Sequence, residues 1–103
     1  MDLKKTIKKW AYIFDLVDKN IKTKRIDREQ VTFPSDISEV DRYYVGVSVI
    51  EDNVTIYHDR DLTEEDIIHE LIHVAYPKLE EQEVVDFTDQ IVDFANQIIK
   101  NSI

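Results

Sequence analysis

The stretch Asp66–Ala75 reads Asp-Ile-Ile-His-Glu-Leu-Ile-His-Val-Ala and determines how the rest of the chain is interpreted. Residues 69–73 form an H-E-x-x-H motif. On an α-helix His69 and His73 stand one turn apart on one face, so both imidazoles can reach one metal ion about 2 Å away. Glu70 lies about 100° round the helix from His69, beside the metal rather than on it. The stretch therefore predicts two zinc ligands and a general base that takes a proton from a zinc-bound water.

The flanking residues fit a helix around this motif. Thr63 and Asp66 have the spacing of a capping box, with Asp in place of the usual Glu or Gln, so we expect a helix from about Glu64 that Pro77 ends. One side of this helix is apolar, and the two histidines lie roughly opposite; the apolar side consists of Ile67, Ile68, Leu71, Val74 and Ala75. The alternative interpretation is that both histidines are exposed helix residues without a ligand.

Length and composition limit the fold and the kind of metal site. The chain has 103 residues, which is enough for one small domain spanning 1–103 with a modest two-layer core. It has no cysteine, so a metal must be held by nitrogen and oxygen ligands. A charged fraction of 34 % with one glycine and two prolines is typical of thermophile proteins.

Charge is distributed unevenly along the chain. The net charge is -9, yet residues 1–28 carry nine Lys or Arg against four Asp or Glu. The negative net charge argues against a nucleic-acid binder, which would present a mainly basic surface. A solvated acidic surface explains the acidic residues after position 28 better than mimicry of DNA does. No stretch approaches the roughly 18 apolar residues of a membrane span, and the lysine-rich start lacks the apolar run of a signal peptide. We therefore expect a soluble cytoplasmic protein without a membrane span.

Apolar periodicity predicts a first helix from Asp2 to about Lys22. Its apolar residues recur every three or four positions: Leu3, Ile7, Trp10, Phe14, Val17 and Ile21. The intervening lysines would also suit a membrane-surface helix, but packing against a sheet explains Trp10 and Phe14 on this stripe better. Residues 23–29 are charged and predict a connection.

A small, mostly antiparallel sheet is expected next. Gln30–Phe33 is a short strand candidate stopped by Pro34, and Ser35–Val40 reads as a polar loop. The strand Arg42–Ile50 contains the sole glycine, Gly46, which marks a bulge or a close backbone approach. A turn at Asp52-Asn53 leads into a strand at Val54–Tyr57, and a third helix runs from about Glu80 to Asn101. The fold class is thus α+β, in the order helix, sheet, helix, helix.

A third zinc ligand is expected at the start of the third helix, among Glu80, Glu81 and Glu83. If the two helices form a hairpin that turns near Pro77, residues 69–73 face roughly residues 81–86. Glu81 meets this condition and lies at the margin of the apolar face, whereas Glu83 is explained by a helix-start capping role. His58 is interpreted as a polar residue at a strand end.

The motif at residues 69–73 followed by Glu81, in a chain of this length with an N-terminal helix and a small sheet, resembles the minigluzincins. The resemblance implies a minimal zincin-like fold, similar to the catalytic domains of membrane-embedded peptidases of the Ste24 and HtpX type. It implies zinc bound by His69, His73 and Glu81, Glu70 as the base, and latency through a C-terminal segment. In the larger relatives an Asp four positions after the zinc glutamate orients a histidine; this chain has Val85 there, followed by Asp86.

The leading hypothesis is a zinc metalloendopeptidase acting on peptides or unfolded protein, with Val54–Tyr57 as the edge strand that the substrate joins. Tyr76 and His58 are candidates for oxyanion stabilisation, although Tyr76 is explained equally well by packing beside Pro77. The alternative is a metal-binding or interaction domain with little or no catalysis. Surplus apolar surface on the C-terminal helix predicts a latent protein in which this helix or tail obstructs the cleft of its own chain or, in a homodimer, of a neighbour. The alternative is that the whole helix simply completes the core.

Overall fold

The computed structural model describes residues 1–26 and 45–101, with only the backbone described for 99–101. Six elements follow in chain order: α1 (Leu3–Ile13), β1 (Asn20–Arg25), β2 (Val45–Ile50), β3 (Asn53–His58), α2 (Glu64–Ala75) and α3 (Glu81–Asn101). The protein is a small α+β domain with three helices and a three-stranded mixed sheet in its described part. The predicted strand at Gln30–Phe33 and the loop at Ser35–Val40 lie outside the described residues.

The first helix is shorter than predicted, because it ends at Ile13 rather than at about Lys22. Its C-terminus is a Schellman motif: the Leu16 amide donates to the Ala11 carbonyl at 2.7 Å, and the Asp15 amide donates to the Tyr12 carbonyl at 3.2 Å. Asp15 adopts the left-handed conformation at φ 59°, which Asp tolerates better than most residues. The chain thereby reverses, so residues 20–25 form a strand where the sequence predicted helix and connection.

The sheet has the strand order β1-β3-β2 and is mixed rather than mostly antiparallel. β1 runs parallel to β3, with Ile21 opposite Val54, and β2 runs antiparallel to β3, with Val47 opposite Ile56. The predicted strand at Val54–Tyr57 is therefore central, and its assignment as an edge strand was wrong.

The β2–β3 hairpin turns at Glu51 and Asp52, one residue earlier than predicted, with Glu51 at φ 55°. Asn53 is already the first residue of β3, paired with Ile50. The pairing continues without interruption through Gly46, which lies opposite Tyr57. The predicted bulge at Gly46 is thus absent, which leaves the close backbone approach as the reason for glycine at this position.

All three helices contribute to one core with one face of the sheet. α2 lies at its centre, and Ile67, Leu71 and Ile72 are fully buried. The bounds of the second and third helices match the prediction closely, since α2 begins at Glu64 and α3 at Glu81. The remaining buried members of this cluster are Trp10, Ala11, Phe14, Leu16, Ile56, Leu62, Ile68 and Val84. α2 is therefore held from several sides, which fixes the face that carries the two histidines.

Candidate metal centre and its groove

The start of α2 is fixed by the predicted capping box. The Asp66 amide donates to Oγ1 of Thr63 at 3.1 Å, and the Thr63 amide donates to Oδ2 of Asp66 at 2.9 Å. Arg60 adds two hydrogen bonds to the same carboxylate, at 2.6 and 2.7 Å. Partial burial disfavours ionisation of Asp66, but the bonds from Arg60 and Thr63 outweigh it and hold the pKa of Asp66 below its ordinary value. This network sets the first turn, and with it the position of His69 one turn later.

His69 and His73 lie side by side on a partly exposed face of α2, with ring centroids 5.0 Å apart. Nε2 of His69 is 2.8 Å from Oε1 of Glu81, and Nε2 of His73 is 2.8 Å from Oε2 of the same residue. The potential ligand atoms of the three residues all lie within 4.8 Å of one another. The structure thus brings together the two predicted histidines and the glutamate that the hairpin geometry favoured.

Glu81 is placed by the way α3 packs on α2. Val84 is fully buried and Thr88 is 2 % exposed, so this side of α3 is pressed into the core. The Thr88 hydroxyl donates to the Val84 carbonyl at 2.7 Å, so this buried hydroxyl has its hydrogen-bond partner within the same helix. Glu83 accepts a hydrogen bond from the Glu80 amide at 3.0 Å, in agreement with the predicted capping role. Glu83 is thus engaged at the helix start, and Glu81 is the acidic residue of this turn that meets the histidines.

Glu70 is the buried carboxylate of the site, with 5 % of its surface exposed. Burial, together with the negative charges of Glu81 and Asp66, raises the pKa of Glu70 to about 8. A cation beside a carboxylate has the opposite effect and favours its ionised form. The protonation state of Glu70 should therefore depend on whether His69, His73 and Glu81 bind a cation.

A groove of about 470 Å³ runs between these residues and β2. One wall carries His69, Glu70, His73 and Glu81, and the other consists of Val45, Gly46, Val47 and Val49. Among the described residues β2 pairs only with β3, and four of its residues line the groove. The motif gave no indication of this wall. The signal that could have identified it was the sole glycine, whose missing side chain lets the backbone of β2 approach the groove.

Three other residues considered from the sequence lie apart from this group. His58 is buried at the end of β3, where Nδ1 is 2.8 Å from the Arg60 carbonyl, as expected for a strand-end polar residue. The Tyr76 ring lies 5.9 Å from the Phe87 ring, which favours the packing role over oxyanion stabilisation. Asp86 accepts a hydrogen bond from Gln82 at 3.1 Å rather than supporting a histidine.

No known protein family, curated protein or solved structure matches this chain. Within residues 1–26 and 45–101, no helix combines the length and apolar character needed to span a bilayer. The functional interpretation therefore depends on the site itself. Two imidazole nitrogens and a carboxylate are the His₂Glu donor set of catalytic zinc centres, so the residues present fit a divalent metal ion.

Proposed function

We propose that this protein is a zinc-dependent metallopeptidase of the gluzincin type, with a minimal zincin-like fold similar to that of the minigluzincins. The observation that carries the proposal is the convergence of Glu81 on His69 and His73, with the buried Glu70 next to them. Three protein ligands leave a position open for water or substrate, which distinguishes a catalytic centre from a closed structural one. Zinc is the metal we propose because nitrogen-rich sites of this kind favour it over harder cations.

Glu70 is the proposed general base. When bound, the metal supplies polarisation of the scissile carbonyl and acidification of the attacking water. Glu70 accepts the proton of that water and passes it to the amine of the departing product. Its burial supports this role, because a carboxylate shielded from bulk water exchanges its proton with the reacting groups in the groove.

The substrate we propose is an extended peptide or a segment of unfolded protein that lies along β2. This strand replaces Val54–Tyr57 as the edge that a substrate joins, since four of its six residues line the groove. Backbone hydrogen bonds to the edge of β2 that the described residues leave unpaired would hold a peptide extended and largely independent of its sequence. The valines of β2 would contact its side chains, while Gly46 leaves room for its backbone.

One observation favours the second candidate function, a metal-binding or interaction domain with little catalysis. The Glu81 side chain is 66 % exposed, so the groove has a thin wall on the α3 side. Water is then poorly excluded from the position where catalysis would occur. This candidate needs the same metal ligands but gives Glu70 no catalytic role.

Glu70→Ala separates the two candidates. In the metallopeptidase the variant keeps one zinc per chain but loses hydrolysis of casein or of a quenched peptide mixture by at least a hundredfold, roughly the contribution of a general base. Glu65→Ala is the matched control, because Glu65 is an exposed glutamate of the same helix and should retain full activity. Activity that survives Glu70→Ala unchanged would refute the water-activation role, and a zinc-loaded parent without activity would favour the binding domain.

A further inference from the structure

The side chains of β2 belong to two faces of the sheet with different chemistry. Val47 pairs with Ile56, which is fully buried in the core, so Val47 stands on the helix side of the sheet. Side chains alternate along a strand, which places the other two valines of β2 on the same side. The opposite face, which we call the outer face, carries Gly46, Ser48 and Ile50.

At Gly46 the outer face has a gap beside an aromatic ring. Gly46 pairs with Tyr57 of the central strand, and Tyr57 is only partly buried. A glycine in a strand leaves its backbone bare and often marks a place where a ligand approaches closely. In its row of the sheet, Tyr57 therefore has no side chain between its ring and the edge of β2 that the described residues leave unpaired. The chain has no other glycine, so this gap occurs only once.

The two outer strands of the described sheet differ in charge. β1 reads Asn-Ile-Lys-Thr-Lys-Arg, and its three cations are exposed. β2 reads Val-Gly-Val-Ser-Val-Ile and carries no charge. Lysines on an edge strand discourage the addition of a further strand, whereas an uncharged edge admits it. An added peptide therefore suits β2 better than β1, for reasons of charge as well as of position beside the metal ligands.

We propose that β2 selects extended peptides that carry an aromatic side chain beside Gly46, on the outer face of the sheet. This inference rests on the proposed function for the place of the peptide along β2. It adds the class of residue that the peptide presents there, and it assigns this specificity to Gly46 and Tyr57. The aromatic residue points away from the metal ligands, so it contributes to binding and takes no part in bond cleavage.

The spacing of the strands explains why the selected residue is aromatic. Neighbouring strands lie about 4.8 Å apart, so the backbone of a peptide residue beside Gly46 is roughly 10 Å from that of Tyr57. Two aromatic side chains that lean over the glycine span this distance and reach the centroid separation of about 4.5–7 Å at which rings attract one another. Leucine and alanine are too short to meet the ring. An aromatic side chain over the glycine of a neighbouring strand is also a known way of stabilising sheets.

Short fluorescent peptides that end in a hydroxamate test the selection, because the hydroxamate binds zinc and fixes the register of the peptide on β2. One series carries the hydroxamate at its C-terminus and the other carries a succinyl hydroxamate at its N-terminus, so the two extend to either side of the metal. Phe, Leu or Ala is placed at each position in turn, and fluorescence anisotropy measures binding to the zinc-loaded protein. At one position Phe should bind about tenfold more tightly than Ala, with Leu well below Phe. If no position favours Phe over both, the proposal is wrong.

Two variants assign the preference to the named residues. Gly46→Val fills the gap, and Tyr57→Leu removes the ring; each should reduce the affinity ratio of the Phe and Ala peptides from about ten to about one. The matched control is Ser48→Val, which adds the same side chain to the outer face one position pair away and should leave the ratio unchanged. Circular dichroism confirms folding, and Tyr57→Leu decides the question if Gly46→Val does not fold. A ratio that stays at ten in Tyr57→Leu would overturn the proposal.

Cleavage of the corresponding unmodified peptides is measured in parallel, so that this proposal and the proposed function can fail separately. A parent that prefers Phe beside Gly46 but hydrolyses no peptide would refute the metallopeptidase and support the selection. A parent that hydrolyses peptides without any preference for Phe would refute the selection alone. Absence of zinc-dependent binding in both hydroxamate series would overturn both.

Discussion

The two ends of α3 belong to one helix but to different surroundings. At its first turns Val84 is fully buried and Glu81 meets the histidines of α2. At its last turns Phe94 and Ile98 lie mostly in solvent. A surface helix usually packs one face along its length against the core. Here the first half of α3 carries the proposed metal ligand Glu81, whereas the second half leaves Phe94 and Ile98 exposed.

The largest difference between the two ends should appear in metal binding. Glu81→Ala, His69→Ala or His73→Ala should each reduce zinc content well below one per chain, because two remaining ligands rarely hold zinc at neutral pH. Elemental analysis after dialysis measures this directly. Glu80→Ala is the matched control, since it removes the exposed glutamate next to Glu81 and should leave zinc unchanged. Full zinc retention in all three ligand variants would exclude the proposed centre.

Core packing should show the next largest difference. Val84→Ala removes two buried methyl groups at the first half of α3 and should lower the free energy of unfolding by about 2 kcal/mol. Ile98→Ala should change it by less than about 0.5 kcal/mol, because Ile98 is half exposed. Urea denaturation at low protein concentration keeps any dimer dissociated and measures both. Equal losses in the two variants would mean that the second half of α3 is packed after all.

The pH dependence of stability reports on the first turn of α2, which positions the histidines. The pKa of Asp66 is lowered in the folded state. Its ionised form therefore raises the free energy of unfolding at pH values above its unfolded pKa of about 4, and this stabilisation disappears as the pH falls below that value. Asp66→Asn should therefore lower the free energy of unfolding by about 1 kcal/mol at pH 7 and by progressively less below about pH 4. Glu65→Gln removes a charge from the same turn without these hydrogen bonds. If both variants lose equal stability at pH 7, the capping network is not the cause.

Local signals in the sequence were sufficient for α2 and for the grouping of His69, His73 and Glu81. The capping box of Thr63 and Asp66 marks the start of this helix, and Pro77 marks its end. The structure places the helix bounds where these residues predict them. Glu81 could be selected because a short connection forces α2 and α3 into a hairpin, which restricts the residues that can face the motif. Both inferences depend on contacts between residues near in sequence, which is why they succeeded.

The region from Phe14 to Arg25 could not be predicted in the same way. Phe14, Val17 and Ile21 continue the helical spacing of α1, yet the chain turns at Asp15 without the glycine that usually marks a Schellman motif. Leu16 is buried after the turn, while Val17 is exposed. β1 is a strand because it pairs with β3, more than thirty residues later, and such pairing leaves no local signature. The central position of β3 was missed for the same reason.

Removing residues from Asn96 onward should have the smallest effect on fold and metal. Among the side chains of α3 that the structure describes, those that pack on the core end with Val92, so the truncated chain should stay folded and keep one zinc. The described part of α3 contributes only Glu81 to the metal groove. If this helix makes the proposed peptidase latent, the obstruction comes from the α3 of a neighbouring chain or from the last residues of the same chain.

Peptidase activity of the truncated protein distinguishes these possibilities when it is compared with full-length Phe94→Gln. Under latency through a neighbouring chain whose α3 enters the metal groove, both proteins lose that contact and both gain activity. Under latency through the last residues of the same chain, only the truncated protein gains activity. A truncated protein that is folded, zinc-loaded and still inactive would count against latency and favour the metal-binding domain, because the free end of α3 would then have no influence on the groove at its other end.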